Sequence, residues 1–105
     1  MKHPADGIYY VTGEMLKRRG ACNAYRSLMR VANANDMDEP ILITRDILRK
    51  FQAEDSGFAW AMDKMLDSGI VTGAEAHFYY VSCSWDLSKG FMDILQARAK
   101  REGRL

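Results

Sequence analysis

"ITRDILRKFQAEDSGFAWAMDKMLDSGIV", residues 43–71, holds two helical patterns back to back and a junction that ends the second. Thr44 has the side chain of an N-cap, and Asp46 falls in the first turn, where a negative charge meets the positive end of the helix dipole. Ile43 and Leu48 are spaced for a hydrophobic staple, and Ile47, Leu48 and Phe51 fall on one inward face. "AEDSG", residues 53–57, turns the chain. Asp55 or Ser56 then caps a next helix that buries Phe58, Ala61, Met62, Met65 and Leu66. Gly69 fits the left-handed position that closes a helix in a Schellman motif, with Ile70 reaching back to Met65.

Downstream, "IVTGAEAHFYYVSCSW", residues 70–85, reads as a β-hairpin turning around Gly73, its second strand running from about His77 to Ser84. Alternation places Tyr79, Val81, Cys83 and Trp85 on one face, with Phe78 and Tyr80 on the other. Aromatic residues on both faces predict a strand covered on both sides, or one that pairs with a second copy into a homodimer through residues 77–85. A final helix begins at Asp86 or Ser88 and turns Phe91, Ile94 and Leu95 inward. Its basic end, "RAKREGRL", residues 98–105, is expected to fray.

Upstream, "IYYVT", residues 8–12, is β-branched and aromatic and reads as a short strand. Thr12 caps a short helix through Leu16 and Arg19, which Gly20 interrupts or ends. Ala21, Cys22, Tyr25, Leu28, Met29 and Ala32 recur at helical spacing as one apolar stripe, and "NANDMDEP", residues 33–40, is a polar loop. The expected fold class is α+β: mainly helical, with four or so helices and a small antiparallel sheet, in one domain spanning residues 1–105.

Composition narrows the classes. With 105 residues, 48% hydrophobic and 28% charged, the chain suits one soluble globular core. The apolar runs are only a few residues long, so no membrane span is expected. The opening "MKHPADGIYY" lacks the apolar stretch of a signal peptide, and the cytoplasm is the expected location. Cys22, Cys83, His3 and His77 are scattered outside any metal-ligand spacing, so neither a metal nor a cofactor is expected. Net charge is +1, but its layout is uneven. Residues 1–50 hold nine basic and six acidic side chains, residues 51–97 two and seven, and residues 98–105 four and one. This layout predicts an oriented surface that steers a charged partner, or basic ends folded near the acidic middle.

Over about residues 42–84, the order of helix, turn, helix, "LDSGIV" junction and two-stranded hairpin resembles the winged helix-turn-helix superfamily. The resemblance implies a second helix at Thr44 to Gln52, a third at Ser56 to Asp67, and a wing from Ile70 to Cys83. In that superfamily the third helix commonly enters the major groove. Here the outward face of that helix would carry Trp60, Asp63, Lys64 and Asp67, and the wing has Glu75 but no basic residue before Lys89. Acidic groups facing phosphates oppose binding, so the usual mode of DNA reading is not expected.

Two surfaces are candidates for partner binding. Arg19, Asn23, Arg26 and Arg30 line one face if the helix continues through Gly20, with Lys17 and Arg18 flanking its start. Arginine suits phosphate or carboxylate because its planar fork donates two parallel hydrogen bonds. The plainer reading is a solvated face opposite the apolar stripe. The second surface is Trp60 with Asp63 and Asp67, either a protein-binding anchor or a tryptophan packed under the first segment or the final helix.

No paired carboxylates with an organised partner, no Ser/Cys–His arrangement and no phosphate-cradling glycine loop stand out, so the protein is not expected to be an enzyme. In size and in lacking a catalytic constellation, the chain resembles small accessory regulators of phages and mobile elements, including the anti-CRISPR inhibitors of host defence. The expected function is docking on another macromolecule, a protein or ribonucleoprotein complex, as a regulator or inhibitor. The alternative is a winged-helix transcription regulator contacting nucleic acid through the Arg19/Arg26/Arg30 stripe or the basic tail.

Overall fold

A computed structural model describes residues 2–20, 23–55, 58–65 and 87–105. Within them the elements run β1 (Tyr10–Val11), α1 (Gly13–Arg18), α2 (Ala24–Val31), β2 (Ile41–Leu42), α3 (Arg45–Glu54), α4 (Phe58–Met65) and α5 (Leu87–Arg101). The class is α+β and mostly helical, with a two-stranded antiparallel sheet. The Gly69 junction, the hairpin with its strand at 77–85, the wing and both cysteines lie outside the described residues.

Both threonine caps form. Thr12 Oγ1 accepts from the Met15 amide at 3.1 Å, and Thr44 Oγ1 accepts from the Ile47 amide at 3.1 Å. Each satisfies a first-turn donor that has no partner inside its helix. Gly20, at φ +84°, takes the chain out of α1 through a left-handed turn. The helix therefore does not continue through Gly20: α1 ends at Arg18 and α2 starts afresh at Ala24. Asn33, at φ +55°, closes α2. Its amide bonds to the Arg30 carbonyl at 3.2 Å, and the Ala34 amide bonds to the Met29 carbonyl at 2.9 Å, the paired bonds of a Schellman motif.

The sheet joins two short strands from opposite sides of α1 and α2. Tyr10 pairs with Leu42 and Val11 with Ile41. Val11 and Ile41 turn into the core while Tyr10 and Leu42 face outward, each 54% exposed. The strand at residues 8–12 thus forms, reduced to Tyr10–Val11. Its partner, Ile41–Leu42, lies between the polar loop at residues 33–40 and the Thr44 cap, where no strand is expected from the sequence.

The core is one cluster contributed by every element. Leu16 of α1, Leu28 of α2, Leu48 and Phe51 of α3, Met62 and Met65 of α4, and Phe91, Met92 and Leu95 of α5 are all fully buried. Burying a side chain of this size contributes about 1.5–3 kcal/mol. Phe51 and Phe58 meet edge to face, with centroids 5.1 Å apart, and fix the α3–α4 corner. In addition, α1 packs on α2 and α4, and α3 packs on α2, α4 and α5.

The segment at residues 98–105 departs from the expectation of fraying. It is helical through Arg101, and Gly103, at φ +75°, closes it with a second Schellman motif. The Arg104 amide bonds to the Ala99 carbonyl at 2.8 Å and the Gly103 amide to the Lys100 carbonyl at 3.2 Å. Glu102 then accepts hydrogen bonds from Tyr9 Oη at 2.7 Å and Arg98 Nε at 2.8 Å. The glycine and the acid among the four bases are what anchor this end.

Candidate functional site: a basic corner between the first two helices

The six-residue α1 is about 9 Å long and separates charge along its axis. At its N-terminal end stands Glu14, whose amide donates to the Met37 carbonyl at 2.9 Å. That bond draws the acidic loop of Asp36, Asp38 and Glu39 up to the same end. Lys17 and Arg18 occupy the last turn and Arg19 its C-cap, where cations are favoured by the helix dipole. All three are exposed, as are Gly20 and Asn23 in the turn that follows.

Arg26 joins this corner from the first turn of α2. Its Nε donates to Tyr25 Oη at 3.2 Å, and its guanidinium lies 5.7 Å from the centre of the Tyr25 ring. The ring is buried in the core, so the stacked cation is held from below. No described residue takes the outer nitrogens of the fork. Tyr25 was legible only as a core residue. Its adjacency to Arg26 was the signal that it also positions a cation.

Ion pairing sorts the predicted cations. Arg18 Nε lies 3.7 Å from Glu14, and Arg30 is paired with Glu54 of α3. Elsewhere Arg49, Lys50, Lys89, Arg98 and Arg104 each have a carboxylate within 3.4 Å. Lys17, Arg19 and Arg26 have none among the described residues. The predicted stripe of Arg19, Asn23, Arg26 and Arg30 is therefore replaced by a corner. Gly20 takes Arg19 off the line of α2, and Arg30, though on α2, is neutralised. In the basic tail, Glu102 is shared by Arg98 and Arg104. The side chains of Trp60 and Asp63, on α4, and all of Asp67 lie outside the described residues.

A second polar cluster ties the chain ends together. His3, with its side chain 9% exposed, meets Asp93 Oδ1 at 2.9 Å through Nε2, while its Nδ1 accepts from the Ala5 amide at 3.1 Å. Because Nδ1 faces a donor, the neutral ring carries its proton on Nε2 and donates to Asp93. Both nitrogens are engaged, which makes His3 a joint. Burial raises the Asp93 carboxyl, but hydrogen bonds from His3 and Lys89 outweigh it and hold the group below the usual range. Among the described residues, no group of three or more His, Cys, Asp or Glu side chains could hold a metal ion, and no helix is long and apolar enough to cross a membrane. No protein-family model, curated protein or solved structure matches this chain.

Proposed function

We propose that this chain is a non-enzymatic binding protein that docks on another macromolecule, a protein or ribonucleoprotein complex in the cytoplasm, and regulates or inhibits it there. The observation that carries this reading is the corner of Lys17, Arg19 and Arg26. These cations are exposed and have no carboxylate within ion-pair distance among the described residues, whereas Arg18, Arg30, Arg49 and Arg98 each have one. The acidic loop lies at the other end of α1. Opposed patches a helix-length apart orient an approaching charged partner and disfavour wrong orientations.

The test is retention of partners from a cell lysate by wild type and by a Lys17→Glu/Arg19→Glu/Arg26→Glu variant whose circular dichroism is unchanged. The wild type is expected to retain a defined complex that the variant loses. Identical retention by both would refute the corner as the docking surface.

A further inference from the structure

Two methionine sulfurs meet at one glycine. Gly13 opens α1, and a Cβ placed on it would lie 2.6 Å from Met29 Sδ of α2 and 3.3 Å from Met37 Sδ of the acidic loop. The missing side chain lets both thioethers pack on the first turn of α1. Met37 also joins the loop to this turn through its backbone, because its carbonyl accepts from the Glu14 amide at 2.9 Å. Two further bonds close inside the loop and would travel with it. The Asn35 amide donates to Glu39 Oε1 at 3.1 Å, and the Glu39 amide donates to the Asp36 carbonyl at 3.1 Å. Met29 and Met37 are half-buried at the edge of the core, whereas Met62, Met65 and Met92 are sealed within it at 0% exposure. A small oxidant from solvent therefore meets the pair at Gly13 before it meets those three.

We propose that Met37 and Met29 form an oxidation-sensitive catch, whose conversion to sulfoxide by a peroxide releases the acidic loop from α1; its effect on docking rests on the docking reading above. In the step, a sulfur lone pair attacks one peroxide oxygen. An S–O bond forms as the O–O bond breaks, and sulfur gives up two electrons. The departing hydroxide takes the proton left on the transferred oxygen and leaves as water. The product is polar and chiral where the thioether was apolar. Between Met29 Sδ and Gly13 there is no room for another atom. The added oxygen must turn outward to water, because a buried acceptor without a donor is costly. Turning Met37 outward draws its carbonyl off the Glu14 amide, and Asp36, Asp38 and Glu39 leave the end of α1 opposite Lys17 and Arg19. The step reverses when a dithiol-dependent sulfoxide reductase restores the thioether, the oxygen leaving as water and the dithiol becoming a disulfide.

The experiment treats full-length protein, labelled with 13C at its methionine methyls and 15N in its backbone, with hydrogen peroxide. Methyl signals report which sulfurs carry oxygen, and amide exchange reports the catch. Met29 and Met37 are expected to oxidise while Met62, Met65 and Met92 do not. Exchange at the Glu14 amide is expected to quicken at least about tenfold, the factor that one unsatisfied polar group imposes on an opening equilibrium. The Met15 amide, bonded to Thr12 Oγ1 beside α1, should stay protected, and reduction should restore Glu14. Met37→Gln, a permanently polar side chain, should quicken Glu14 without peroxide. Met29→Leu/Met37→Leu, which keeps the bulk, should hold Glu14 through the treatment.

Unchanged Glu14 exchange with Met37 fully oxidised overturns the inference. So does opening of the Met15 amide along with it, which would mean that α1 itself unfolds. An equal response in the double leucine variant also overturns it, by moving the effect to another methionine. These results leave the docking reading untouched. Retention from lysate that falls for oxidised wild type, but not for the leucine variant, supports the catch and carries it to docking. Unchanged retention with the loop released supports the catch and overturns the acidic loop's part in docking.

Discussion

Gly13 and Gly20 are glycines for different reasons, and alanine at each should fail differently. A Cβ on Gly13 would sit 2.6 Å from Met29 Sδ and 3.3 Å from both Met29 Cγ and Met37 Sδ. Methionine is adaptable, but the close atoms lie mid-chain, so both side chains must move. Overpacking of this kind costs about 1–3 kcal/mol, against at most about 1 kcal/mol gained from alanine's helix propensity. Gly13→Ala should therefore destabilise by about 1 kcal/mol in urea denaturation. The loss should shrink in a double-mutant cycle with Met29→Ala, which removes the obstruction. At Gly20 the space is open and the strain is in the backbone, φ +84°. Gly20→Ala should cost about 1–2 kcal/mol and show no coupling to Met29. Additive behaviour of Gly13→Ala with Met29→Ala would refute the packing account. Gly20 was legible as a helix end because left-handed turns favour glycine locally. Gly13 was not, because its neighbours come from α2 and the loop after it.

At the scale of elements, what the sequence reveals is whatever closes within a few residues. The Thr12 and Thr44 caps, the buried faces of α3 and α4, and the inward line Phe91–Ile94–Leu95 all follow from contacts inside one helix or one face. What crosses the chain stayed hidden. Strand β2 is two residues long, too short to show alternation, and exists because β1 lies beside it. The grouping of the basic residues was lost for the same reason: Arg30 meets Glu54 24 positions away, and the Gly20 turn redirects Arg19. Helix α3 shows both kinds of contact at its start. Thr44 caps it locally, while Asp6, 39 positions upstream, accepts from the Arg45 amide through Oδ1 at 2.9 Å and from the His3 amide through Oδ2 at 2.9 Å. Thr44→Ala should cost about 1 kcal/mol, a usual value for a lost cap. Asp6→Ala should cost at least as much and also speed amide exchange at His3, which Thr44→Ala should leave protected. Equal exchange at His3 in the two variants would show that Asp6 does not join the opening segment to α3.

Across the whole molecule, the first nine residues are held to the last helix at two points, over separations of 90 and 93 residues. His3 meets Asp93, and Tyr9 donates to Glu102, with the Arg104 guanidinium 4.9 Å from the centre of the Tyr9 ring. The Tyr9–Glu102 bond gives stability a pH profile with two edges. The Tyr9 bond, followed by that from Arg98, holds the Glu102 carboxyl below its ordinary range. A carboxyl lowered on folding contributes stability that is present above its unfolded value and lost as pH falls toward the folded one. Tyr9 is raised, first by burial and then by its bond to Glu102. Its contribution is present below the unfolded phenol value and lost as pH rises through the folded one. The melting temperature should therefore be level across the neutral range, fall below about pH 4.5, and fall again above about pH 10. Glu102→Gln should keep an acceptor for Tyr9 yet reduce the acid edge, leaving the shares due to Asp93 and Asp46, which are also lowered. Tyr9→Phe should remove the alkaline edge and reduce the acid one, because Glu102 loses its main hydrogen-bond donor. Melting followed by circular dichroism across this range checks both edges. Profiles for Glu102→Gln and Tyr9→Phe parallel to the wild type would mean that the ends of the chain are joined by packing alone.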